Sequence, residues 1–203
     1  MPNEKIYIED TIVASASGDG TAGVNVIRVS GPDTEEIASI LLQRLPEPRV
    51  ASYTKFQNKN KETIDVGIAL YFPAPNSYTG ESILELHAHG GSIIGNLIIE
   101  EIISLGARQA QPGEFTKRAY LNGKIDLAQA EAVADLINSG TKRSAKAAIQ
   151  SLTGKFSYLV KSLDEQLTKL RLFVEASIDF PEEDIDFLAD EKLIDEISSC
   201  NSL

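Results

Sequence analysis

Glu85-Leu-His87-Ala-His89 holds both histidines of the chain beside a carboxylate. On a strand, side chains two apart share a face, so Glu85, His87 and His89 would converge on one side of a sheet. A carboxylate with two imidazoles has the composition of a facial metal triad. Such a triad usually draws one ligand from a distant segment, and three neighbouring strand side chains stand in a row rather than around a point. Glu85 alone offers other chemistry: a carboxylate accepts two parallel N–H groups from an amidine-like edge, such as that of a pterin or guanine. Arg28 lies in the apolar run Val24–Ser30, on the face of Val24 and Val26. A buried arginine needs a partner, either an internal carboxylate or a ligand carboxylate. Lys124 follows Asn122-Gly123 in a predicted elbow between two helices, where it could reach a ligand or simply be solvated. The only cysteine is Cys200, so no Cys/His nucleophile pair, zinc cluster or internal disulfide is expected, in keeping with a reducing cytoplasm.

These residues need elements to position them. Thr11–Ser15 and Val24–Ser30 read as strands around a Gly/Ser-rich loop, with Gly18, Gly20 and Gly23 as hairpin punctuation. Asp33, with Glu36 three residues on, predicts a boxed helix ended by Pro46 and Pro48. Ala51–Phe56 and Thr63–Phe72 read as paired strands, Ile83–His89 as another strand, and Ser92–Leu105 as a helix. Hairpins and helices without a regular βαβ repeat indicate an α+β fold, a mixed sheet packed by helices.

From Pro112 onward the pattern is helical. Pro112-Gly113 opens a short helix that stops at Asn122-Gly123, and Asp126 with Gln129 predicts a boxed second helix. Thr141 then predicts one very long helix, about 50 Å, along an apolar seam from Ala145 to Val174. The acidic stretch Asp179–Asp186 lacks the ligand order and glycine of a calcium loop and reads as solvated, and 187–203 as the start of a further helix.

The net charge of −11 is uneven: lysine plus arginine against aspartate plus glutamate is 7 against 14 over residues 1–103, 8 against 4 over 104–155, and 4 against 12 beyond. Such a chain repels a polyanion at long range, which argues against non-specific RNA binding. No apolar run approaches the ~20 residues of a membrane helix, and the N-terminus lacks a secretory signal. The phosphate-loop pattern G-x-x-x-x-G-K-[ST] occurs nowhere in the chain, so no GTP site is expected.

Five runs in order resemble one family. They are Val26–Pro32, Pro75–Glu81, Glu85–Gly91, Pro112–Ala132 and Val174–Leu188, and they are similar to the TrmE (MnmE) tRNA modification GTPases. The resemblance implies a folate-binding, dimerising domain at about 1–120, similar to the tetrahydrofolate domain of glycine-cleavage T-protein. It implies the first part of a helical domain over 121–203. It further implies a tetrahydrofolate cofactor (5-formyl- or 5,10-methylene-), a homodimer through the first domain, and an MnmG-like flavoprotein partner. The activity implied is aminomethyl-type modification of the tRNA wobble uridine, with tRNA contacted only indirectly. The family's folate contacts fall on Arg28, Glu85 and Lys124. The family's GTPase domain and terminal cysteine motif have no counterpart in these 203 residues, and the loop Ser15–Gly23 lacks the family's usual proline and arginine. On the resemblance this is a truncated member without its own GTPase activity and without a GTP or potassium site, the alternatives being a folate-binding or dimerising module, or a non-functional fragment.

Overall fold

The computed structural model describes residues 10–18 and 22–179, which fall into two compact units meeting between Ile125 and Asp126. The acidic stretch beyond Asp179, the helix start after it and Cys200 lie outside the described residues, as does Gly20.

The first unit is built on a six-stranded sheet. Strands β1 (Ile12–Ser15) and β2 (Val24–Ser30) form an antiparallel hairpin, with Ala14 opposite Arg28. Strands β3 (Ser52–Gln57) and β4 (Thr63–Phe72) form a second hairpin around a turn in which Asn58 Oδ1 accepts from the amides of Asn60 and Glu62. Strand β5 (Ile83–His89) lies antiparallel between β4 and β2. The short β6 (Arg108–Gln109) joins β1 in parallel, giving the order β3-β4-β5-β2-β1-β6, a mixed sheet.

Alternation along the strands gives the sheet two different faces. Ile27 and Val29 on β2, and Leu84, Leu86 and Ala88 on β5, point to the core. Helix α1 (Thr34–Leu41) and helix α2 (Ser92–Ser104) close over them with Ile37, Ala38, Leu41, Ile98 and Ile102. The alternate residues, Arg28 and Glu85 among them, face the other way.

Two details of α1 differ from expectation. Asp33 precedes the helix but makes no side-chain cap, because its backbone sits at φ −85°, ψ 3°. Its carboxylate instead accepts from Thr11 Oγ1 at 3.0 Å, while its amide donates to the same hydroxyl at 2.9 Å, fastening the helix to the start of β1. The helix also ends at Leu41, ahead of both prolines, where Gln43 takes a left-handed conformation at φ 59°.

Helix α3 (Glu114–Leu121) completes this unit and ends at Asn122, with Gly123 left-handed at φ 66° as expected.

The second unit is helical. Helix α4 (Leu127–Ile137) opens on a full capping box from Asp126 and Gln129, and helix α5 (Lys142–Leu152) on one from Thr141 and Ser144. Ala132 and Ala148 are the buried residues of these two helices, and Gln129 Nε2 donates to the Leu152 carbonyl at 3.0 Å. The single long helix expected from Thr141 is two helices: the chain breaks at Thr153-Gly154 and restarts as α6 (Lys155–Asp179). The cause is local. Gly154 takes φ 82°, a conformation open to glycine and costly for other residues, and no α-helix propagates through it. No helix among the described residues is long and apolar enough to cross a membrane.

Candidate functional site

Register brings the first two candidate residues together. In the β2–β5 pairing Arg28 stands directly opposite Glu85, and on the far side of β5 Glu85 faces Leu70. The Arg28 guanidinium donates to Glu85 Oε1 twice, from Nε at 2.9 Å and from Nη2 at 2.6 Å. The partner that Arg28 requires is thus an internal carboxylate. The pair is half-buried, with 25% and 17% of the side-chain surfaces accessible, so a ligand could still reach it.

Two rings fix the guanidinium. Its carbon lies 5.5 Å from the centroid of Tyr78 and 5.6 Å from that of Phe115, within cation–π range. Tyr78 comes from the loop between β4 and β5 and Phe115 from α3. The Tyr78 hydroxyl shares a 2.9 Å hydrogen bond with Thr116, tying loop to helix.

Lys124 attaches to the same loop. Its Nζ donates to the Pro75 carbonyl at 2.9 Å, its stem runs past Gly80, and Asn122 Nδ2 donates to the Thr79 carbonyl at 2.7 Å. A Cβ on Gly80 would come within 3.3 Å of the lysine stem, and Gly80 has φ 82°, so glycine fits there on both counts. The structure therefore brings Arg28 and Glu85 into direct contact and links Lys124 to them through the loop that carries Tyr78. The ammonium is exposed.

The histidines part company. His87 Nε2 lies 3.9 Å from Glu85 Oε2, while His89 turns to Asp65, with Nδ1 2.8 Å from Oδ1 and its amide donating to Oδ2 at 2.8 Å. Burial alone would raise the Asp65 carboxyl, but the hydrogen bonds from His89 outweigh it and hold it below the usual carboxylate range. Glu85, His87 and His89 do not converge on a point.

Sequence reasoning missed the scaffold behind the site. Arg118, only 5% accessible, donates to Asp10 at 2.6 Å, Glu81 at 3.0 Å and Glu114 at 3.2 Å. Glu81 also accepts from Ser30 Oγ at 2.7 Å, and Arg108 bonds both Glu114 and Asp10. The hydrogen bonds from Arg108 lower the Glu114 carboxyl to about 2, against the opposing effect of burial. This cluster clamps α3, and with it Phe115, against the sheet and the loop. One signal was present: Glu114 and Arg118 stand four apart on a helix, the spacing of an ion pair.

A small cavity of about 100 Å³ lies elsewhere, between β2 and the start of α2, lined by Ser15, Asn25, Gly90 and Asn96 among others. It falls below the ~300 Å³ at which pockets for drug-sized ligands begin. The Arg28–Glu85 face is an open shelf with aromatic, cationic and carboxylate groups side by side. Those groups suit a flat polar heterocycle bearing an anionic tail.

Comparison with known proteins bears on most of the chain. A family model described as the N-terminus of the GTP-binding protein TrmE matches residues 11–124, and one described as the MnmE helical domain matches residues 127–202. A protein of Coxiella burnetii named tRNA modification GTPase MnmE is 53% identical over 184 residues, which is 91% of this chain and 40% of that protein. Proteins of the same name from Marinobacter nauticus and Erwinia tasmaniensis are 53% identical over 188 residues and 54% identical over 185. These cover 93% and 91% of this chain, and 41% of each relative. The chain thus spans about 40% of the length of the curated relatives it matches.

Proposed function

The chain belongs to the TrmE (MnmE) family, and from that premise we propose that it serves tRNA wobble-uridine modification by binding a tetrahydrofolate derivative in its first unit. The observation that carries this reading is the Arg28–Glu85 pair on the open face of the sheet. Glu85 would receive the N–H groups of the pterin ring. Arg28 and Lys124 would hold anionic groups of the ligand, and Tyr78 and Phe115 would keep the guanidinium in place. A tetrahydrofolate bound there would supply a one-carbon unit.

The folate unit is the first unit, which takes in Lys124, and the helical part is the second, with self-association through the first. An MnmG-like flavoprotein would be the partner, and tRNA would be contacted through the assembled complex. No residue of this chain is assigned to GTP hydrolysis.

Calorimetric titration of the intact chain with 5-formyltetrahydrofolate tests the reading. Binding is expected in the wild type, with Glu85→Ala weakening it about 10- to 100-fold, the range for a hydrogen bond to a charged group. Lys124→Ala should cost less, because its ammonium is exposed. A wild-type chain that gives no binding heat and no change in ligand fluorescence would refute it.

A further inference from the structure

On the second face of the sheet, Glu85 and His87, two apart on β5, set three hydrogen-bonding atoms near one another: Glu85 Oε1, Glu85 Oε2 and His87 Nε2. Oε1 is taken by two N–H groups of Arg28. Oε2 accepts no hydrogen bond from the described residues, and at 3.9 Å from His87 Nε2 it is beyond hydrogen-bond reach. Both free atoms are reachable, on side chains 17% and 30% accessible.

The neighbours of His87 in register are apolar, Val26 on β2 and Ile68 on β4. The charged groups near it are Glu85 on its own strand and Arg28 on β2, since His89 is engaged by Asp65. A row of polar side chains with apolar flanks suits the edge of a planar ring.

We infer that His87 is a specificity-determining residue of the folate site, donating a hydrogen bond from Nε2 to the oxygen on C4 of the pterin. The inference rests on the folate reading above. A 4-oxo pterin presents along one edge an amino group, a ring N–H and a carbonyl: donor, donor, acceptor. The site presents acceptor, acceptor, donor in the same order, with Nε2 donating in its protonated tautomer or as imidazolium. One N–H of Arg28 yields its place on Oε1 to the amino group, while Tyr78 and Phe115 retain the guanidinium beside it.

The test compares the affinity of the intact chain for 5-formyltetrahydrofolate and for its 4-thioxo counterpart. That counterpart keeps both N–H donors and replaces the oxygen by sulfur, a weak acceptor. The wild type should prefer the oxo ligand roughly 3- to 10-fold, the range one neutral hydrogen bond spans. His87→Leu should lower oxo affinity by the same factor and bring the ratio to about one. His87→Gln, whose amide can also donate, should keep most of the preference, with circular dichroism verifying that both variants are folded. A wild type without the preference, or a His87→Leu variant that retains it, overturns the role of His87 and leaves the folate site standing. If the wild type binds neither ligand, the folate reading fails and this inference with it.

Discussion

At Arg118 a single guanidinium serves three carboxylates, those of Asp10, Glu81 and Glu114, in surroundings that leave it 5% accessible. Removing Arg118 strands the buried Glu81 without a counter-charge and leaves Arg108 alone to hold Asp10 and Glu114. Arg118→Met should therefore destabilise the first unit by about 3–5 kcal/mol, read from the urea unfolding midpoint. Glu114 adds a pH dependence whose sign follows from its lowered carboxyl. Its folded value of about 2 lies below the ordinary 4.5, so its contribution is complete above pH 4.5 and is lost as pH falls from there toward 2. Urea midpoints measured across that window should drop for the wild type and drop less for Glu114→Gln. Arg28 and Glu85 were legible in the sequence because alternation along a strand fixes which side chains share a face. The mutual contact of Arg28 and Glu85 was not, since it depends on which strands pair and in what register. Arg118 and Glu81 were hidden for a related reason: only tertiary closure buries a loop carboxylate against a helix.

The elements show the same division between local and distant causes. The capping boxes at Asp126 and the β2 and β5 boundaries came out as expected because each rests on chemistry within a few residues. Asp33 failed as a cap because its backbone leaves the capping conformation and its carboxylate goes instead to Thr11, 22 residues away. The apolar seam from Ala145 to Val174 ran in step across Thr153-Gly154, so spacing alone read one helix where the backbone makes two. Several seam residues are in fact exposed, Phe156 at 55% and Leu167 at 49%. Gly154→Ala should cost about 1–2 kcal/mol through left-handed strain alone, since a Cβ there meets nothing closer than 3.7 Å. Gly154→Asn should cost less, because asparagine tolerates that region. Thermal melts followed at 222 nm measure both; equal melting of Gly154→Ala and wild type would show that the break does not depend on the glycine.

For the molecule as a whole, a net charge of −11 sets the terms on which it meets nucleic acid. With 8 basic residues against 4 acidic ones, the segment 104–155 is the only basic stretch, between two acidic ones. The chain alone should not retard tRNA in a gel at about 150 mM salt, where phosphate contacts are already weakened. Micromolar binding under those conditions would mean that the basic segment acts as a nucleic-acid surface in its own right. The first unit has one more property, set by where its outermost contacts fall in the chain. β1 pairs with β6 across nearly a hundred residues, and Asp10 meets Arg108 and Arg118 at separations of 98 and 108. Contacts of that span carry a large loop-closure entropy, which ordering of the chain between them offsets. On a ribosome, β1 and β2 emerge early but wait for α3 before the sheet edge and the Arg118 cluster can form. The Arg28 shelf, which takes Phe115 from that helix, is complete only once α3 has docked.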